Sequence, residues 1–133
     1  MILLDTHVAI WMIGDERMLG AQSRKIIRSA REENKLAISA ISFWEIALLV
    51  AKDRLELRGE ASQLRKDLSI SGVVELSVTG DIAIGAVELA NLHADPADRI
   101  IAATVVAHDA MLMTADSRLL RWRHSVRRQN AHR

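Results

Sequence analysis

Four acidic residues, Asp5, Glu45, Asp98 and Asp116, lie far apart in the chain, yet each sits where a strand or loop hands over to a helix. In a parallel sheet wound with helices, the carboxyl ends of the strands and the amino ends of the following helices share one edge, where residues remote in sequence converge. Carboxylates gathered on that edge suit a hard divalent cation, Mg²⁺ or Mn²⁺, which takes oxygen ligands. Each acid also has an ordinary structural explanation. Asp5, Asp95 and Asp116 can each cap a following helix, and Ser42 with Glu45, like Asp95 with Asp98, fits capping-box spacing. A cap is worth roughly 1 kcal/mol, whereas two ionised carboxylates about 4 Å apart repel by on the order of 4 kcal/mol at an effective dielectric near 20. Serine or asparagine would cap without that repulsion. Acids that meet therefore imply a cation that offsets it and, without metal, a raised carboxyl pKa.

The elements that must position these acids alternate along the chain. Short apolar runs at Ile2 to Leu4, Leu36 to Ile38, Val73 to Val78 and Ala110 to Met113 read as strands, with a marginal fifth at Ser125 to Arg127. Between them lie helical patterns at Val8 to Ile13, Gln22 to Glu33, Ser42 to Lys52, Ala61 to Leu68, Asp81 to Leu92, Pro96 to His108 and Ser117 to Trp122. Pro96, the only proline, stands just inside its helix, where a missing amide is harmless. The expected architecture is α/β, a mostly parallel sheet of four to five strands covered by helices on both faces. Alternation places Asp5 and Asp116 on one edge and supports Glu45 there. The helix from Asp81 to Leu92 intervenes before Asp98, so alternation alone does not bring that acid in.

The 133 residues, half of them hydrophobic, suit a single domain spanning 1–133 with a substantial core. The absence of cysteine excludes disulfides, thiolate zinc sites and cysteine nucleophiles and fits a reducing cytoplasm. No run is apolar enough for a bilayer, and Met1 to Asp5 reads as a strand start rather than a secretion signal. Net charge is only +1, but beyond Asp116 the chain carries Arg118, Arg121, Arg123, Arg127, Arg128 and Arg133 and no acid. That end could grip phosphates or could be a solvated, partly frayed terminus. The helix from Phe43 to Val50 is apolar nearly all round and calls for burial by the core or by a second copy, in a homodimer.

Four stretches resemble the PIN-domain ribonucleases, specifically the VapC-type toxins of toxin–antitoxin pairs: LLDTHVAIWM from Leu3, SAISFWEIALLV from Ser39, LHADPADRIIAAT from Leu92 and LMTADSRL from Leu112. They occur in family order across nearly the whole chain. The resemblance implies a PIN fold and brings Asp98 into one acidic pocket with Asp5, Glu45 and Asp116, supported by the hydroxyls of Thr6 and Thr114. Asp53 stands where related chains often carry a glycine, which puts a left-handed turn there in question.

The resemblance further implies an endoribonuclease dependent on Mg²⁺ or Mn²⁺, cutting RNA by metal-activated water and inhibiting translation and growth, with a cognate antitoxin as partner. Asp5 and Asp98 lead as direct ligands, with Glu45 or Asp116 positioning water or acting as base. Arg99, Arg121, Arg123, Arg127 and Arg128 are candidates for RNA phosphates, and for Arg99 a salt bridge to a neighbouring acid is an equal reading. Trp122, between two arginines, reads as facing RNA, and Trp44 as core or interface. His7, His93 and His108 lack ligand spacing and read as helix-end or surface residues. Two other readings compete. Aspartyl phosphoryl transfer wants a second acid where His7 stands, and receiver domains want a late lysine, whereas the last here is Lys66. A non-catalytic PIN-like binding module would bind no Mn²⁺.

Overall fold

The computed structural model describes residues 1–57 and 59–133. Five strands, β1 (Ile2–Leu4), β2 (Leu36–Ser39), β3 (Val74–Leu76), β4 (Met111–Thr114) and β5 (Arg127–Asn130), form one sheet in the order β3-β2-β1-β4-β5. Every neighbouring pair is parallel. Seven helices are described: α1 (Thr6–Gly14), α2 (Ala21–Glu32), α3 (Ile41–Ala51), α4 (Ala61–Ile70), α5 (Gly80–Glu88), α6 (Pro96–His108) and α7 (Ser117–Leu120). A 3-10 turn at Glu16–Met18 follows α1.

Strand alternation sorts the core into two layers. Leu3 aligns with Ala37 and Leu112, and this row packs against Ile101 and Val105 of α6 on one face. Leu4 aligns with Ile38 and Met113, a row that meets Val8 and Met12 of α1, Ile27 of α2, Ile46 of α3 and Leu64 and Leu68 of α4 on the other. Leu3 and Leu4 are both fully buried. Because successive side chains point to opposite faces, β1 has to be apolar throughout. The expected α/β sheet with both faces covered is thus present.

Several boundaries move for identifiable reasons. The helix expected over Asp81 to Leu92 begins at Gly80, with the Thr79 hydroxyl accepting from the Ile82 amide, and ends at Glu88. Its last carbonyls need partners outside the helix, and Arg99 supplies them for Ala86 and Val87. The last strand lies at Arg127–Asn130, beyond the expected Ser125 to Arg127, because pairing with β4 sets its register from Met111↔Arg127 to Thr114↔Asn130. Asp53 does adopt the left-handed region, at φ 53°, a conformation aspartate tolerates better than most non-glycine residues.

The chain end is docked rather than frayed. Gly20 donates to the Ala131 carbonyl and Gln22 to that of Arg133. A Cβ on Gly20 would lie 2.1 Å from the Arg133 carbonyl carbon, so only glycine admits this approach. No helix among the described residues is long and apolar enough to cross a membrane.

Candidate functional site

The sheet runs outward from β1 in both directions, so its strand order reverses between β1 and β4, and a crevice opens at their carboxyl ends. Asp5 leaves β1 at this point. Its amide donates to the Met113 carbonyl, Oδ1 accepts from the Thr6 amide at 2.8 Å as the cap of α1, and Oδ2 accepts from the Thr114 hydroxyl at 2.6 Å. Capping and site membership therefore coexist in this carboxylate.

Glu45 arrives on α3. The Ser42–Glu45 capping box does not form, because Ala40 is already helical and α3 starts at Ile41. Ser42 is the second residue of the helix, buried, and its hydroxyl accepts from that of Thr6 at 2.9 Å. Glu45 is left half-buried without a capping duty. Thr6 and Thr114 both touch Asp5, Thr6 through its amide and Thr114 through its hydroxyl.

Asp98 is delivered by the turn between α5 and α6. Asp95 caps α6, its Oδ1 accepting from the Asp98 amide at 2.9 Å. The reciprocal half of that capping box is absent because the Asp98 carboxylate engages His93 instead, with Nε2 2.6 Å from Oδ2. Asp116 caps α7 through the amides of Arg118 and Leu119. The Arg118 guanidinium holds Asp116 Oδ2 at 3.0 Å and stands 3.6 Å from Asp98 Oδ2.

Glu45, Asp95 and Asp98 each offer an oxygen within 4.8 Å of the others'. Opposite ligands of an octahedral Mg²⁺ are about 4.2 Å apart, so the three can close on one ion directly or through water. This donor set fits Mg²⁺ or Mn²⁺. Asp5 and Asp116 flank it, near enough for their charges to act on Asp98. Sequence reasoning saw Asp95 only as a cap; the usable signal was an acid pair astride Pro96 opening a helix. It also missed His93, whose ring reads as unremarkable until the turn folds it onto Asp98.

The electrostatics match crowded carboxylates without a cation. Burial pushes Asp5 up, against the hydrogen bonds from Thr114 and Thr6. Burial also raises Glu45, with help from the charges of Asp5 and Asp95. Asp98 is pushed up to about 6, first by burial and then by Asp5, Asp95 and Asp116, while His93 opposes. At Asp116 burial acts upward, but Arg118 and the amides of its helix outweigh it and hold the carboxyl below its ordinary value.

A family model described as PIN domain matches residues 2–124. The chain belongs to the PIN domain family. It is similar to Ribonuclease VapC22 of Mycobacterium tuberculosis (strain ATCC 25618 / H37Rv), with 36% identity over 124 residues covering 92% of each chain. Among solved structures it resembles VapBC2 from Rickettsia felis bound to a promoter DNA fragment, with a TM-score of 0.69 and 21% identity over 97% of this chain and 98% of that one. It also resembles DNA-bound VapBC from Salmonella typhimurium, with a TM-score of 0.66 and 20% identity over 96% of each chain. At these identities the structures speak to the fold alone.

The arginines of this PIN domain divide into committed and open ones. All five N–H groups of Arg99 donate to carbonyls, those of Ala86, Val87, Leu89, Leu92 and His93. Arg99 is therefore a clamp between the end of α5 and the start of α6, with no acid partner among the described residues and no donor free for phosphate. Arg128 is bound to the carbonyls of Leu119, Trp122 and His124, and Arg127 to that of Asp109. Arg121 and Arg123 are exposed: Arg121 donates through Nε to the Ser117 carbonyl at 3.2 Å and otherwise reaches only the Ser117 hydroxyl at 3.5 Å, and Arg123 reaches only Asn91, at 3.4 Å. Trp122 is 3% exposed, with its indole N–H donating to the Ala90 carbonyl, so it belongs to the core and cannot face RNA. Trp44 is 53% exposed and outside the core.

Proposed function

We propose that the chain is a divalent-metal-dependent endoribonuclease acting as the toxin of a toxin–antitoxin pair in the cytoplasm. The observation that carries this reading is the meeting of Glu45, Asp95 and Asp98 at the switch point of a PIN fold, beside buried Asp5. Glu45, Asp95 and Asp98 would hold Mg²⁺ or Mn²⁺, with Asp5 and Asp116 as further ligands or as orienters of water. When bound, such an ion supplies Lewis acidity, lowering the pKa of water and stabilising charge on phosphoryl oxygens.

The chain's own residues do the rest. Thr6 and Thr114 fix the acids, and the raised carboxyls of Asp5, Glu45 and Asp98 favour gaining positive charge. Arg118, beside the acids, and Arg121 and Arg123, further along the chain, offer exposed cations for the RNA backbone. Hydrolysis by water leaves a 5′-phosphate. Purified protein should cleave RNA with Mg²⁺ or Mn²⁺ and not in excess chelator, while Asp98→Asn folds and does not cleave. Equal cleavage by that variant would exclude the mechanism.

The antitoxin, in this reading, contributes a basic amphipathic segment. A groove of about 420 Å³ has an apolar floor that includes Trp11, Leu57 and Leu64 and a rim of Asp15, Glu56, Glu60 and Asp67. Apolar floor and acidic rim complement such a segment in both respects. A homodimer would cover exposed Trp44 on α3, or Ile84 and Val87 on α5.

A further inference from the structure

Building on the metal-centre reading, we propose that His93 is a positioning residue of the acidic centre: its neutral imidazole, protonated on Nε2, fixes Oδ2 of Asp98 and leaves the rest of that carboxylate to a divalent cation. The contact is 2.6 Å, a little shorter than the usual range for a nitrogen donor to a carboxylate. Both side chains are largely buried, at 18% and 11% exposure.

The other ring nitrogen decides the protonation state. Nδ1 is buried with no hydrogen-bond partner among the described residues. An imidazolium would leave an N–H orphaned there, and so would a protonated Asp98 donating to a bare Nε2. Only the Nε2–H tautomer leaves an unfilled lone pair at Nδ1, and buried acceptors go unpaired more readily than buried N–H groups. The donor is therefore set by what surrounds the far side of the ring.

The backbone of His93 is fixed as well, since its carbonyl accepts from Arg99 at 3.1 Å. No hydrogen bond from the described residues reaches Asp98 Oδ1. One oxygen is thus tied down and the other left open, the arrangement in which hydrogen-bond partners behind a metal ligand orient it. Loss of such a partner typically weakens metal affinity by roughly 10- to 100-fold.

The test is Mn²⁺ titration of metal-free protein, reading free Mn²⁺ by electron paramagnetic resonance, so that no turnover is required. Wild type should bind, His93→Ala should bind roughly 10- to 100-fold more weakly, and His93→Gln, whose amide N–H can reach the position of Nε2, should recover much of the loss. Melting in chelator identifies any variant that fails to fold. Unchanged affinity in folded His93→Ala, or no recovery in folded His93→Gln, overturns the proposal while leaving the metal centre intact. If wild type binds no Mn²⁺, the metal-centre reading itself fails and takes the proposal with it. Imidazole ¹⁵N spectra of wild type, which need no variant, should show the Nε2–H tautomer before and after Mg²⁺. A proton on Nδ1 overturns it.

Discussion

The Thr114 hydroxyl donates to Oδ2 of Asp5 across 2.6 Å, joining the end of β4 to the first residue beyond β1 over 109 positions of sequence. The same hydroxyl accepts from the Asp116 amide at 3.0 Å, so one threonine sets two of the acids. Thr114→Val keeps the shape and removes both bonds. The Asp5 carboxyl, already raised by burial, then loses the strongest influence lowering it. We expect the acid limb of the pH–activity profile to move to higher pH, with about 1–3 kcal/mol lost in urea unfolding. A limb that stays put would mean that ionisation of Asp5 does not set it.

Asp98 links stability to pH in a direction opposite to that of most paired carboxylates. Its folded value of about 6 exceeds the unfolded 3.8, so the folded state holds the proton more tightly. Its contribution is then unfavourable at neutral pH and disappears as pH falls below about 4. In chelator, Asp98→Asn should stabilise the protein at pH 7 by on the order of 3 kcal/mol and leave it unchanged at pH 3.5. Mg²⁺ should raise the melting temperature of wild type more than that of the variant. A variant less stable than wild type at pH 7 without metal would contradict the crowding of the acids.

Arg99→Lys replaces a planar five-donor fork with a point charge of three donors. Five carbonyls, two in the last turn of α5 and three in the α5–α6 connection, lose their common partner. The expected cost is about 3 kcal/mol in urea unfolding, together with lower cleavage because the turn carries His93 and Asp95 and leads into Asp98. The salt slope of RNA binding should not change.

Arg121 and Arg123 give the opposite pattern. Replacing each with alanine should leave melting nearly unchanged and flatten the log–log salt dependence of RNA binding by roughly one per residue. An unaltered slope would remove them from the RNA path.

Arg118 lies against both Asp116 and Asp98, where it competes with any cation. In Arg118→Ala the Asp116 carboxyl should rise toward its ordinary value, and Mn²⁺ affinity without RNA should increase a few-fold in a titration. Weaker Mn²⁺ binding would show that Arg118 orders the site instead of competing for it.

Much of this molecule is legible without coordinates, because local patterning reports which faces are buried. The apolar Ile2 to Leu4 run and the Pro96 to His108 helix appear where periodicity puts them. Asp5, Glu45 and Asp116 could be recognised as acids at the starts of helices. Weakly patterned pieces moved, since β5 is the polar run Arg127 to Asn130 and owes its position to the open edge of β4. Trp122 misled for a related reason: flanking arginines suggest exposure, but its indole packs inward against the Ala90 carbonyl.

By itself the sequence determined the α/β alternation, the layers that bury β1 and the acids available at the sheet edge, because burial period and capping preference are properties of neighbouring residues. Only the tertiary structure decided that Asp95 joins Glu45 and Asp98, that His93 backs Asp98, and that Arg99 and Trp122 serve the fold. Those outcomes depend on how the connection between α5 and α6 packs against α3 and the chain end, which is governed by contacts between elements that no local pattern encodes.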